Sequence, residues 1–338
     1  LHTIPSTMTA AVYKPGYIDL VLEKYYPIRK IEDNEILLKV SACEGARDLR
    51  ETSSVRYSLL VTFCGLSWSS HRLGSKVDTK IQIGKLYSVF LTVSIQGGVP
   101  DTTIGQGMDG GYAQYVIVKP GNLLDVPENV SPEAAAVASD AGTTAYSAVK
   151  HTAGVRRSIR TENRVLIFGA GGLGHLAVQF AKYLGATVYV CDFKPAVREL
   201  ALELGTDGAF DLIEMTNKTA AGFTVDCTID FVANSQTFNL AMAALKGKEI
   251  KFPLQPKLVM VSVSADTLSF STSSTIYTGV QILTNVYGPE GALGEVLGLI
   301  SKGIIRPHIE TVPLGQVQKA LDDLRAYRTT GRKVMVPN

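Results

Sequence analysis

Three glycines and one aspartate carry the strongest chemistry in this chain. Gly169, Gly171 and Gly174 lie in the run Arg164–Gly174, R-V-L-I-F-G-A-G-G-L-G, and complete the spacing G-x-G-x-x-G. At that spacing the first glycine permits a sharp turn, the second removes a Cβ where a pyrophosphate must approach, and the third lets a helix pack closely on a strand. Gly172 and Leu173 fill the rest of the turn, and the helix that follows presents unpaired N–H groups to an anion. Asp192 stands roughly 20 residues further on, where a carboxylate accepts hydrogen bonds from the ribose hydroxyls of NAD and repels the extra phosphate of NADP. Lys194 next to it softens that repulsion, and Val232, at the end of a third apolar run, is a further cofactor-contact candidate. The spacing therefore predicts a dinucleotide site that favours NAD.

Those residues need particular elements to hold them. Val165–Phe168 reads as a buried strand, the helical pattern of Leu176, Phe180 and Leu184 follows the turn, and a second strand, Thr187–Cys191, ends at Asp192. Helical and strand-like runs then alternate through Ala196–Leu204, Asp226–Val232, Ser235–Leu245 and Lys257–Val263. Alternation at this spacing predicts a mainly parallel sheet with helices on both faces. A last strand-like run, Val280–Tyr287, precedes helices over Leu293–Lys302 and Leu314–Ala326 and a strand at Lys333–Val336. Before about residue 140 the chain is β-rich instead, with apolar or alternating runs at Thr9–Val12, Leu20–Glu23, Ile36–Val40, Leu86–Val93 and Tyr112–Val118. Ser131-Pro132-Glu133 supplies an N-cap, a first-turn proline and an early acid for an alanine-rich helix. Another helix is expected over Thr144–Lys150, and Lys246–Lys257 reads as a solvated loop.

Composition excludes several function classes. At 338 residues the chain has room for two domains. Its 33 lysines and arginines are scattered among 31 acids for a net charge of +2, so there is no basic footprint for nucleic acid. No apolar run approaches the length of a membrane helix. The opening Leu1–Met8 has neither a charged n-region nor an apolar h-region, so no secretory signal is expected there. Cys43, Cys64, Cys191 and Cys227 are widely spaced without C-x-x-C, which argues against a disulfide framework or a cysteine-rich zinc site and suits a cytoplasmic location. Cys191 and Cys227, in strand-like runs, read as small core residues.

Five motifs in this order, K-V-S-A-C at Lys39, D-G-G-Y-A-Q-Y-V from Asp109, T-T-A-Y at Thr143, G-A-G-G-L-G-H-L-A-V-Q at Gly169 and G-R-K-V at Gly331, give the chain a resemblance to the medium-chain dehydrogenase/reductase family, specifically its zinc alcohol dehydrogenase branch. The resemblance covers nearly the whole chain. It implies an α/β fold in which a GroES-like, β-rich catalytic domain (residues 1–142 and 286–338) flanks a Rossmann domain with a doubly wound parallel sheet (residues 143–285). It also implies NAD(P)-dependent hydride transfer in the cleft between them, with Thr144 at the position that contacts the nicotinamide and Arg332 at the one that reaches the pyrophosphate. Relatives of this kind pair through the edge strand of the Rossmann sheet, so a homodimer or homotetramer built on Val280–Val286 is expected.

The zinc pattern is where the sequence departs from that branch. The positions of the first ligand and the proton-relay hydroxyl hold Gly45 and Arg47. The segment that should read G-H-E follows Cys64 as Gly65-Leu66-Ser67, and the four-cysteine lobe is missing. Only Asp140, in the third ligand position, retains a metal-binding side chain, whereas a catalytic zinc needs about three protein ligands converging on one point. A substitute set of Cys43 or Cys64 with His71 and Asp140 has no diagnostic spacing, and no metal is expected. His71 reads as a surface-loop residue and His175, in the first turn after the glycines, as packing or solvent-facing. Without zinc, charge on the substrate oxygen needs another donor. Arg47, Arg50 and Tyr57 are the candidates. Three readings stay open: an NAD-dependent alcohol dehydrogenase-type enzyme that has lost its zinc and acts on a small alcohol/carbonyl pair, a zinc-independent quinone- or enoyl-type C=C reductase, and a catalytically silent nucleotide-binding protein.

Overall fold

In the computed structural model the described residues are 5–14, 19–44, 66–77, 81–91, 104–105, 109–156, 163–245 and 256–337. They group into two compact units, residues 1–140 with 293–338 and residues 141–292.

The first unit is built on antiparallel strands. A hairpin joins β1 (Thr7–Tyr13) to β2 (Leu20–Pro27). A larger sheet contains β3 (Ile36–Glu44), β4 (Leu66–Leu73), β5 (Leu86–Val89), β6 (Tyr115–Val118) and β7 (Leu123–Asp125). The apolar run Ile36–Val40 puts β3 at its centre, with Ile36, Leu37, Leu38 and Val40 buried. Helix α1 (Pro132–Val137) begins as its sequence requires, with the Ser131 hydroxyl accepting from the Ala134 N–H at 3.2 Å. It docks on the sheet through the Ser88 hydroxyl, which donates to the Ala135 carbonyl at 3.1 Å. A wider π turn follows over Ala138–Gly142.

The second unit carries the parallel sheet. Segment α2 (Thr143–Tyr146) runs into a π turn at Ser147–Thr152 rather than the uniform α-helix expected there. The strands are β8 (Arg164–Phe168), β9 (Thr187–Cys191), β10 (Gly208–Phe210), β11 (Cys227–Asp230), β12 (Lys257–Met260) and β13 (Gln281–Thr284), in the spatial order β10-β9-β8-β11-β12-β13. All pairs are parallel. Val165–Phe168 are fully buried, as expected of a strand covered on both faces. Helices α3 (Gly174–Tyr183), α4 (Pro195–Glu203), α5 (Leu212–Ala220), α6 (Ser235–Ala244) and α7 (Thr272–Thr278) supply the connections. The remaining elements are α8 (Ala292–Ser301), followed in the first unit by β14 (Ile309–Pro313), α9 (Val317–Arg325) and β15 (Arg332–Val336). Strand β15 joins β14 to β3.

Helices α5 and α7 are not among the elements expected from the sequence. Helix α5 buries only Met215 and begins with a capping box between Asp211 and Glu214. Helix α7 is a run of hydroxyl and β-branched residues, T-S-S-T-I-Y-T, of weak helix propensity. Lys257 is not in a solvated loop: it opens β12, and its amine donates to the Ala153 carbonyl at 3.0 Å. Residues 246–255 of that proposed loop lie outside the described residues, and Pro256 is buried. Reading the cysteines as unlinked also needs correction, because Cys43 is disulfide-bonded. Disulfide pairing follows tertiary approach, which spacing does not encode. Cys191 and Cys227 are free and buried, and burial pushes both thiols up to about 12.

Candidate dinucleotide site

The parallel strands end in one row. Phe210, Cys191, Phe168, Asp230, Met260 and Thr284 are in register across the sheet, so the residues just beyond them share its carboxyl edge. The chain runs outward from β8 through β9 to β10, then returns to the other side of β8 for β11, β12 and β13. That reversal creates a crevice between β8 and β11, the place where open α/β sheets bind ligands.

Each glycine of the turn sits there for a separate physical reason. Gly169 has φ +77°, and a Cβ on it would lie 2.8 Å from Val232 Cγ2. A Cβ on Gly174 would lie 1.9 Å from the Gly169 carbonyl oxygen, so only glycine lets α3 start this close to β8. Around a Cβ on Gly171, by contrast, there is nothing within 4 Å. The approach to its backbone is open, which is the condition a pyrophosphate imposes. Gly172, Leu173 and Gly174 follow at the start of α3, where N–H groups have no intrahelical acceptor.

Acidic side chains hold this turn and its neighbour. Asp192, 7% exposed, accepts from the Ala170 N–H at 3.0 Å and from the Lys194 N–H at 2.9 Å. One carboxylate thus fixes the glycine turn and the start of α4 together. The Lys194 amine is half-buried, and desolvation lowers its pKa against the opposing pull of Asp192. At the end of β11, Asp230 accepts from the Val232 and Ala233 N–H groups, both at 2.8 Å, and from the Thr237 hydroxyl at 2.7 Å. Burial raises its pKa despite those bonds. Asp230 thereby sets the loop that carries Val232 against Gly169, a role nothing in the local spacing announced.

His175 takes the packing alternative of its reading. It is fully buried, and its Nδ1 lies 2.8 Å from the Gly171 carbonyl, a geometry that puts the proton on Nδ1. It braces the glycine turn from beneath. The only sequence signal was its position four residues after Gly171, one helical turn away.

Gly169, Gly171, Gly172, Leu173, Gly174, Asp192, Lys194 and Val232 are therefore brought to one carboxyl edge, and Thr144 belongs to the same unit in α2. Arg332 and Asp140 belong to the other unit. Arg332 is a buried side chain, ion-paired with the fully buried Glu44. Tyr112 is buried beside them, and its phenol is pushed above its ordinary range by burial. Asp140 is buried in the π turn after α1. Arg47, Arg50, Tyr57, Cys64 and the side chain of His71 lie outside the described residues. Among the described residues no three His, Cys, Asp or Glu side chains converge on a metal-sized point.

A Rossmann-type parallel sheet in one unit and a β-rich sheet in the other are features of a class of protein, to which the chain is similar as follows. The zinc-binding dehydrogenase family model matches residues 172–302. An alcohol dehydrogenase of Geobacillus stearothermophilus is 28% identical over 236 residues, covering 68% of this chain. A D-arabinose 1-dehydrogenase (NADP(+)) of Saccharolobus solfataricus is 29% identical over 240 residues, covering 69%. In each case the match spans 66% of the relative's own length, just under two thirds. The solved acetophenone reductase from Geotrichum candidum, in complex with NAD, superimposes with a TM-score of 0.82 at 26% identity over 99% of this chain and 98% of that one. The alcohol dehydrogenase of Aeropyrum pernix gives 0.80 at 22% identity, over 98% and 100%. Over residues 172–302 the chain is thus similar to the zinc-binding dehydrogenase family, and in fold it is similar to these solved structures.

Proposed function

We propose that the chain is an NAD(H)-dependent oxidoreductase of the alcohol dehydrogenase type, acting on a small alcohol/carbonyl pair without a catalytic zinc. The observation that carries the cofactor half of this reading is Asp192, a carboxylate at the carboxyl end of β9, bonded to the glycine turn. Residues of the chain then divide the work. The open backbone at Gly171 and the first turn of α3 receive the pyrophosphate, Asp192 takes the ribose hydroxyls, and Val232 and Thr144 flank the nicotinamide half. A bound nicotinamide supplies or accepts the hydride. Arg47, Arg50 or Tyr57 is the proposed donor to the developing charge on the substrate oxygen, since Gly45 and Leu66 stand at positions that hold metal ligands in relatives. Similarity to an NAD-bound ketone reductase supports the carbonyl assignment. A homodimer or homotetramer is part of the same proposal, supported by the place of β13 at the sheet edge and the exposure of Ile276, Tyr277 and Val286 near it.

Titration with NADH and NADPH tests this, together with turnover of alcohols, aldehydes and enones and elemental analysis. NADH should bind more tightly, because a carboxylate beside a 2′-phosphate adds repulsion. Tighter NADPH binding rejects the role of Asp192, one tightly held zinc per chain rejects the metal-free mechanism, and bound NADH with no turnover of any substrate leaves a silent nucleotide binder.

A further inference from the structure

Asn285 has a bonding pattern that the cofactor site as described does not use. It is 7% exposed and is the first residue beyond β13, its N–H continuing the ladder to the Met260 carbonyl at 2.9 Å. Its side-chain oxygen accepts from the Ser147 hydroxyl at 3.1 Å and the Thr152 hydroxyl at 2.7 Å. Its side-chain nitrogen donates to the Thr144 carbonyl at 3.3 Å and the Tyr287 carbonyl at 3.1 Å. That uses both acceptor sites and both donors of the amide. Two carbonyls on one side fix its orientation, because only an NH2 can satisfy them.

The backbone on both sides is irregular in the way this convergence requires. Ser147 and Thr152 are five residues apart, which on an α-helix places them about 140° apart around the axis. The π turn at Ser147–Thr152, closed by the Ala153 N–H on the Ala148 carbonyl at 2.9 Å, brings positions i and i+5 to one side. Both hydroxyls then reach a single oxygen. Beyond β13, Tyr287 holds φ +67°, a conformation unfavourable for a non-glycine residue. Gly288 passes so near the helix that a Cβ on it would lie 2.7 Å from Thr143 Cγ2. Between these two residues and Asn285, Val286 is left 63% exposed. A strained segment and a widened helical turn, both held by one buried amide, are a structure with a geometry to protect.

The geometry points to Asn285 as a positioning residue for the nicotinamide half of the cofactor. A dinucleotide lying across the β8/β11 crevice with its adenosine end at Asp192 places its other end over the carboxyl ends of β11, β12 and β13. Asn285 joins the walls available there, the segment after β13 and the Thr144 stretch, into one rigid piece. Pre-organisation of that kind governs how well a ring is held, with no direct contact from Asn285 itself. The inference rests on the dinucleotide reading above.

ADP-ribose, which lacks the nicotinamide, separates the two ideas. Calorimetric titration of the full-length protein should show Asn285→Ala binding NADH about tenfold or more weakly while ADP-ribose affinity stays within about twofold. NADH fluorescence, which reports the ring environment, should lose any enhancement seen with the unmodified protein. Thr152→Val, which keeps shape and removes one of the two hydroxyl donors, should shift NADH in the same direction by less. If Asn285→Ala does not fold, as judged by thermal unfolding, Thr152→Val decides the matter. Equal weakening of both ligands, or no change in either, overturns the positioning role. Failure of the unmodified protein to bind either ligand overturns the dinucleotide reading and this inference with it.

Discussion

In the unit of residues 141–292, Asp192, Asp230, His175 and Asn285 direct hydrogen bonds at main-chain groups flanking the ends of β8, β9, β11 and β13. In the unit of residues 1–140 and 293–338, Glu44, Glu35 and Asp323 instead face arginine and lysine side chains. Side chain to main chain fixes the shape of a loop, so its loss should be felt in ligand geometry. Side chain to side chain between opposite charges fixes packing, so its loss should be felt in stability and in its dependence on pH. The four side chains named in the unit with the glycine turn are committed to loop shape, and the three acids named in the β-rich unit are committed to holding elements together.

The largest expected effect tests the second half of that contrast. Arg332 lies on β15, which pairs with β3 where Val334 faces Glu44, and both charged groups are buried. Arg332→Ala removes the buried guanidinium that is ion-paired with buried Glu44, and should cost about 3–5 kcal/mol in denaturant unfolding. A loss below about 1 kcal/mol, the value typical of exposed pairs, breaks the comparison.

Two glycine variants sharpen the first half. Gly174→Ala drives a Cβ into the Gly169 carbonyl and should cost about 1–3 kcal/mol, abolishing NADH binding as the turn distorts. Gly171→Ala meets no protein atom, so stability should hold or rise by up to about 1 kcal/mol while NADH binding is lost. Calorimetry beside thermal unfolding checks both. Retained binding in Gly171→Ala would remove the reason for a glycine there.

The smallest expected effect is one of pH. Lys319 and Arg328 hold the Asp323 carboxyl down to about 2. A carboxylate with a depressed folded pKa contributes stability that is present above its ordinary value near 4 and lost as pH falls towards 2. Asp323→Asn should therefore flatten the acid limb of a stability-pH curve between those values, lowering stability on the neutral side and leaving it nearly unchanged near pH 2. Asp230 has the opposite sign, since burial raises its pKa and its contribution declines as pH rises above the ordinary carboxylate value. An acid limb unaltered by Asp323→Asn would remove Asp323 from the contrast.

The sequence by itself determined the dinucleotide turn and the elements around it. Glycine spacing, a four-residue apolar strand and an acid after the second strand are local signals, because the constraints on Gly169, Gly174 and Asp192 arise from neighbouring turns of the same βαβ unit. The capped start of α1 at Ser131 was legible for the same reason. Tertiary structure alone decided the rest. Asn285 meets Thr144 across 141 positions and Thr152 across 133, and Glu44 finds Arg332 only because β15 returns to β3. Asp230, His175 and the π turn at Ser147–Thr152 have no periodicity to betray them. Their roles come from what the sheet places beside them, and hydrophobic pattern records which face of an element is buried but not which distant residue it will meet.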